Sequence, residues 1–498
     1  MPPPELTLIQ PTRLSHRALI ILGLVIYTIT AYCSEGFYHP DEHFQLLEFA
    51  NYKLGQTPAA DLPWEFPQQI RPTLQPTIAL VVMRAARAVG ISNPFIWALL
   101  LRLLSAWLAV WVFVRMSRRL TGVLGESGSR LLLGASFLLW FMPFLSVRFS
   151  SENWSALSFL FGLSLLPLDS SERSETRVRD YITAGFALGL SFVFRFQMGF
   201  ALAGVGLWVL IRGRFGWARI GALVAGGVAA IAMGTVVDWW FYGNLVFTPW
   251  RYFASNIIHG AAASFGVAPW WWYFPQVMNH AIPVIAIPLI VLAAVGIYRA
   301  RDHLITWAFV AFVVGHIAVS HKELRFLFPM AFPLLFLAVV GWQHLGRAVR
   351  ASRMLKVGLG ALAVVDFAAL LFVGTRAADN GVTTWRYLYD YARHRPTTLY
   401  VQGDSPYAFA RLHLDVYRAP LVTIVPVDSS LTLADSARVH PRDGDLFLPV
   451  NGIVPPTAPG MRLELAHRSL PSWMLHFDVT HWEERTHVWT LYRIARGG

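Results

Sequence analysis

HRALIILGLVIYTITAYCSEGFYHPDEHFQ, residues 16–45, sets the terms on which the rest of the chain is read. From residue 18 to residue 33 no charged side chain interrupts the apolar run, which suits a membrane helix. Glu35, Asp41 and Glu42 follow, where a removable signal would have a small-residue cleavage site. The opening run is therefore expected to be a first membrane span that delivers acidic residues to the far face.

Working outward, similar runs lie near 94–114, 131–147, 153–168, 180–194, 197–212, 217–237, 276–298, 303–320, 325–342 and 355–374. With the first they make eleven candidate spans. Arginine and lysine mark alternate connections: Arg13 and Arg17; Arg115, Arg118 and Arg119; Arg173, Arg177 and Arg179; Arg212, Arg214 and Arg219; Arg299 and Arg301; and Arg347, Arg350, Arg353 and Lys356. An eleven-span path puts all of these on one side, with a cytoplasmic N-terminus and residues after 375 outside. It requires that PTIALVVMRAARAVG (76–90), with Arg84 and Arg87 near one end, lie at the interface rather than cross.

Composition agrees. The 498 residues are 55% hydrophobic and 14% charged, with a mean hydropathy of +0.47. A soluble chain needs roughly a quarter charged residues. The net charge of +12 sits mostly in short loops between apolar runs, so it reads as topology rather than as a nucleic-acid face. A single cysteine, Cys33, excludes an intrachain disulfide framework and a thiolate metal site.

The expected organisation is a membrane catalytic domain over 1–375, with an external loop over 34–93, and a soluble α/β domain over 376–498 on the non-cytoplasmic side. In the tail, short β-branched runs (397–403, 421–427, 445–450 and 487–494) alternate with Gly, Pro and Asp turns. PYAFARLHL (406–414) reads as a helix between the first two, giving a β-α-β start. Asp443-Gly444-Asp445 reads as a turn before a strand, not as a nucleotide-binding metal motif. No metal or cofactor is expected.

The chemistry-capable residues gather in the loops of one face. Pro40 suits a first helical turn, which places Asp41 and Glu42 at the positive end of a helix through HFQLLEFANYKLG. There an ionised carboxylate can act as a general base or simply cap the helix. His321, Lys322, Glu323 and Arg325 crowd a turn between two apolar runs. Lys and Arg there can bind an anionic phosphate, or snorkel with Glu323 as an internal partner. Arg148 and Arg195 lie on the external side against the charge trend and can cradle phosphate, reach headgroups or pair structurally, with Glu152 and Asn153 as local partners of Arg148. The aromatic loop from Asp238 through Tyr242 to Trp272 and Tyr273 can form an interfacial belt or stack on sugars.

In order along the chain, HPDEHFQ (39–45), WEFP (64–67), IRPTLQP (70–76), RFSSEN (148–153), FRFQ (194–197), DWWFYGNLVFTPW (238–250), SFGVAPWWWYF (264–274) and HKELRF (321–326) resemble glycosyltransferase family 22. These are polyisoprenyl-phosphate-mannose-dependent α-mannosyltransferases of lipid-linked oligosaccharide and glycosylphosphatidylinositol (GPI) anchor synthesis. The resemblance covers residues 15–345. It implies a GT-C fold and inverting transfer of mannose, or another hexose, to a glycan hydroxyl. It further implies Asp41 or Glu42 as base, with His321, Lys322, Arg325, Arg148 and Arg195 on the leaving phosphate. Glu323 and His39 would orient these groups; Trp64, Glu65, Arg71, Asp238, Tyr242, Trp272 and Tyr273 would hold sugars. The implied partners are a polyisoprenyl-phosphate-sugar donor, a lipid-linked glycan acceptor and membrane lipid, in a bacterial inner membrane or the endoplasmic reticulum. WEFPQQIRPTLQP departs from the commoner family form, which has an Arg-Ser pair and then Tyr or Phe before Pro. Two rivals are a GT-C enzyme glycosylating protein and a lipid-glycan transporter. The first would place a metal among external acids, and the second expects paired halves.

Overall fold

The computed structural model describes residues 15–170, 172, 177–213, 215–410, 412–427, 445–453, 462–471 and 488–495. Arg13, Arg173, Arg214, Asp443, Gly444 and His487, which figured in the sequence expectations, lie outside the described residues.

A helix covers each expected apolar run, because a backbone without water must bond to itself. Among the described residues five helices are long and apolar enough to cross a membrane: His16–Cys33, Pro94–Arg119, Trp217–Tyr242, Leu324–His344 (its first turns 3₁₀) and Arg353–Gly374. Phe196–Ile211, Pro283–Arg299 and Leu304–Ala318 are shorter apolar helices. Close pairs form where glycines let backbones touch, as membrane packing favours. A Cβ on Gly185 would come 1.9 Å from the Leu223 carbonyl oxygen, and one on Gly296 would come 1.9 Å from that of Leu337.

Two expected runs are broken. The 131–147 run is divided between Thr121–Leu138 and Phe141–Ser146, with Leu139 extended between them. The Trp140 N–H freed there donates to Asp366 Oδ1 at 3.0 Å, which explains a carboxylate inside the Arg353–Gly374 helix. The 276–298 run is two helices, Tyr273–His280 and Pro283–Arg299, separated at Ile282, which sits at φ 60°. The 76–90 stretch falls in one amphipathic helix, Leu74–Ala88, with Ala79, Leu80, Met83 and Ala86 buried and Val81 exposed.

The tail is α/β, with one correction. Helix Val382–Ala392 leads into β1 (Thr397–Val401). PYAFARLHL then forms a small antiparallel hairpin, β2 (Ala408–Phe409) with β3 (Leu412–His413), and not the expected helix. Ala410, at φ 53°, makes the turn that breaks the helical pattern. The main sheet adds β4 (Val422–Pro426), β5 (Asp445–Asn451), β6 (Arg462–Arg468) and β7 (Trp489–Ala495) in the order β4-β1-β5-β7-β6. β1 is parallel to β4 and β5, while β7 runs antiparallel to β5 and β6. Asp445 opens β5 and accepts hydrogen bonds from Tyr391 and Arg493.

The tail packs directly on the loop that follows the first helix. Phe37 stacks on Trp385 and Trp385 on Tyr417, with interplanar angles of 15° and 9°. Fully buried Glu48 accepts from the Val416 N–H at 3.0 Å and from Thr57 at 2.6 Å, and pairs with His43 at 2.8 Å. One hydrophobic cluster runs from Phe37, Phe44 and Leu47 through Val382 and Trp385 to Leu491.

Candidate active site

Local sequence fixes the first carboxylates. His39 is extended and caps helix Pro40–Phe44, its Nδ1 accepting from the Asp41 N–H at 3.2 Å, while Pro40 occupies the first turn. The expected single helix through Gly55 is instead two, Pro40–Phe44 and Leu47–Lys53. At the break Gln45 turns inward and donates to Glu65 at 2.9 Å.

Arg325 is the hub. Its Nη1 lies 2.8 Å from Asp41 Oδ2 and 3.0 Å from Glu152 Oε1, and its Nε donates to Glu323 at 2.5 Å. Glu323 also meets His39 at 3.3 Å and His321 at 3.0 Å. Arg195 pairs with Glu152 at 2.8 Å. Arg71 stands 3.6 Å from Asp41 and 3.2 Å from Glu65. Five separated segments thus converge around one guanidinium.

The two adjacent carboxyls have different electrostatics. Burial pushes the Asp41 carboxyl up, but Arg325, Arg71 and His39 together hold it down at about 2. Burial raises Glu42, Arg148 opposes it from 3.6 Å, and the nearby Glu152 charge adds to the rise. Asp41 is therefore the ionised member and Glu42 the one nearer to holding a proton. Environments that separate two carboxyls in this way divide acid and base roles. Glu323 is held well below the ordinary range: hydrogen bonds from His39 and Arg325 outweigh its burial.

The other expected residues scatter in informative ways. Lys322 is buried and donates to the Ile317 and Val319 carbonyls, closing the end of helix Leu304–Ala318. Arg148 binds the Ser34 carbonyl and hydroxyl and the Gly36 carbonyl, behind Glu42. The expected Arg148–Glu152 partnership is not formed, since Glu152 turns to Arg195 and Arg325; Asn153 instead donates to the Arg148 carbonyl at 2.8 Å. Both oxygens of Asp238 are engaged, Oδ1 by the Thr73 N–H and hydroxyl and Oδ2 by Thr248. Asp238 thus staples the start of helix Leu74–Ala88 and does not face the site. Tyr242 donates to the Arg71 carbonyl at 2.8 Å. Trp64 stacks on Phe265, and Trp272 meets Tyr273 edge-on. Among the described residues no group of three or more His, Cys, Asp or Glu is arranged to hold a metal ion.

Sequence reasoning missed Glu152 as a member of the charged centre, and missed Gln45 and Gln75 altogether. All three stand inside motifs that carried the family resemblance, Glu152 in RFSSEN, Gln45 in HPDEHFQ and Gln75 in IRPTLQP, and that was the available signal.

Beside this centre lies a cavity of about 690 Å³ with almost wholly apolar walls. Phe144, Leu289, Phe309, Leu334 and Phe372 line it, as do Tyr38, three residues before Asp41, and Tyr273.

The Alg9-like mannosyltransferase family model matches residues 19–387. GPI mannosyltransferase 3 of Candida albicans is 24% identical over 338 residues, covering 67% of this chain and 65% of that protein. GPI mannosyltransferase 3 of Yarrowia lipolytica is 26% identical over 333 residues, covering 65% and 62%. The chain thus spans slightly less than two thirds of the length of these relatives. ArnT from Cupriavidus metallidurans, bound to undecaprenyl phosphate, superposes with a TM-score of 0.55 over 95% of this chain and 97% of that one, at 11% identity. That likeness is one of fold, and the architecture is GT-C.

Proposed function

We propose, because this chain belongs to the Alg9-like mannosyltransferase family, that it transfers mannose from a polyisoprenyl phosphate to a hydroxyl of a lipid-linked glycan, with inversion at the anomeric carbon. The observation that carries this reading is the apolar cavity lined by Tyr38 and Leu324, close in sequence to the paired Asp41 and Arg325. A polyisoprenyl chain suits the apolar walls, which match the lipid it leaves and drive it in by packing rather than by removal from water. Its phosphate then meets Arg325 and His321, with Tyr273 beside Lys322.

In the proposed step, a new bond forms between the acceptor oxygen and the anomeric carbon as the anomeric carbon–phosphate oxygen bond breaks. The acceptor proton passes to the Asp41 carboxylate, and the electron pair leaves with the phosphate. Arg325 serves both ends of this exchange. A phosphate that draws donors of Arg325 toward itself weakens the field holding Asp41 down, so the base strengthens as the leaving group binds. Glu323, tied to His39, His321 and Arg325, positions that guanidinium. The membrane orientation proposed with this reaction keeps the arginine-rich connections cytoplasmic and the site outside.

The test is transfer by purified wild type and Asp41→Asn, using synthetic polyisoprenyl-phosphate-mannose and mannosyl acceptors. Asp41→Asn is expected to bind donor normally and to lose about 10²–10⁴-fold in kcat, the range for a general base. Full turnover by Asp41→Asn would assign the base elsewhere, with Glu42 next. A wild type that neither binds nor uses the donor would end the reading.

A further inference from the structure

Arg71, 3.6 Å from Asp41, also lines a second pocket of mixed polar and apolar walls that shares no lining residue with the apolar cavity. Gln45, Arg71, Gln75, Ser151, Arg195 and Tyr252 line it. Gln75 is 3% exposed and Arg195 4%. Neither polar atom of the Gln75 amide has a hydrogen-bond partner, and the same is true of Arg195 Nε, Arg195 Nη2 and Arg71 Nε. Buried polar atoms left unpaired are costly, and native proteins keep few of them. Five such atoms around one pocket, beside the proposed base, imply a ligand that pairs them.

The chemistry of that ligand follows from charge and size. Arg71 is already balanced by Asp41 and Glu65, and Arg195 by Glu152. No cation is left over to attract an anion. Four of the five unpaired atoms donate and one, the Gln75 carbonyl oxygen, accepts. A neutral group that mainly accepts but also donates is a hydroxyl. The pocket holds about 30 Å³, room for about two water-sized groups at 10–15 Å³ each. That admits the edge of a ring, not a whole sugar.

We infer that this pocket is the acceptor subsite, and that it takes two neighbouring hydroxyls of the terminal hexose while the next hydroxyl along the ring faces Asp41. The inference rests on the proposed transferase reading and adds to it the place and the chemical grip of the acceptor. Donor and acceptor then approach the Asp41–Arg325 pair from separate cavities, as an inverting displacement needs.

The experiment uses the full chain in nanodiscs, polyisoprenyl-phosphate-mannose, and octyl α-mannoside acceptors that are intact or deoxygenated at one ring position. Wild type is expected to lose about 10²-fold in kcat/KM when a gripped hydroxyl is removed, the cost of leaving a charged donor unpaired. Gln75→Leu is expected to raise acceptor KM about tenfold or more, to lose that discrimination, and to bind donor unchanged. Gln75→Glu, which keeps the shape and drops the donors, is expected to raise KM as well and guards against a misfolded Leu variant. Wild-type acceptor KM and intact discrimination in both variants would overturn the inference while leaving the transferase reading in place. If wild type transfers nothing, calorimetric binding of octyl α-mannoside by wild type and by Gln75→Leu decides the subsite separately. Equal binding by the two, or protection of the site by inorganic phosphate in place of mannoside, would overturn it.

Discussion

The two ends of the helical body carry similar residue types and treat them differently. At one end Arg325, Arg195 and Glu152 are buried and share partners across distant segments. At the other, Arg212 meets Asp302 at 2.9 Å with side chains 48% and 43% exposed, and Arg301 reaches the same Asp302. Exposed pairs of that kind are worth about 0–1 kcal/mol. Buried ones cost desolvation that an apolar core would not, and they collapse when one member is removed. On the proposed reading, the arginines of one end serve orientation in the membrane, and those of the other hold the candidate site together.

Removing the hub strains this contrast most. Arg325→Met leaves Asp41, Glu152 and Glu323 without their common donor, and is expected to cost about 3–5 kcal/mol in stability and at least about 10²-fold in transfer. Arg325→Lys keeps the charge but not the fork. It should recover much of the melting temperature and little of the rate, and thermal melts beside kcat/KM separate the two effects.

Glu48→Gln asks whether the buried end extends into the tail. It weakens the contacts to His43, Thr57 and the Val416 N–H and should cost about 1–3 kcal/mol, read as faster hydrogen exchange over residues 412–417. Unchanged exchange there would confine the coupled region to the membrane body.

His39→Gln tests the field at Asp41. His39 is one of three groups that lower this carboxyl, so its loss lets the value climb from about 2 toward 3.8. The acid limb of kcat/KM should then move to higher pH, while the neutral-pH rate changes less. The stability sign agrees: a depressed carboxylate contributes above its unfolded value, and that contribution is lost as pH falls through the folded one.

Arg212→Ala supplies the small end of the scale. Its expected cost is under about 0.5 kcal/mol, with transfer unchanged. A large loss there would break the division between the two ends.

Much of the site was readable before the structure because its parts violate local expectation. Asp41, Glu42 and the 321–325 cluster are charges set against apolar runs, and such residues announce themselves. Asp238 also stood out, yet its charge serves two threonines. Sequence gives no sign of whether a buried acid faces a cavity or a helix end. Gln75 is the opposite case: a glutamine in the first turn of an amphipathic helix is ordinary, and the unpaired surroundings give it meaning. The fold was legible where a run was uniform. It failed at Leu139, at Ile282 and over residues 406–414, where single backbone turns outweigh periodicity.

The contact between Glu48 and Val416 spans 368 positions, and the cluster over the loop after the first helix also includes Leu491. During synthesis the loop bearing Asp41 leaves the ribosome early, while its covering residues do not yet exist. Until Val416 is made Glu48 lacks one of its donors, and until β7 arrives Phe37, Phe44 and Leu47 have no complete partner surface. The segment with the proposed base is therefore among the first to be made and the last to be finished. A chaperone or protease that surveys nascent membrane proteins has, in that interval, an unfinished apolar surface to recognise.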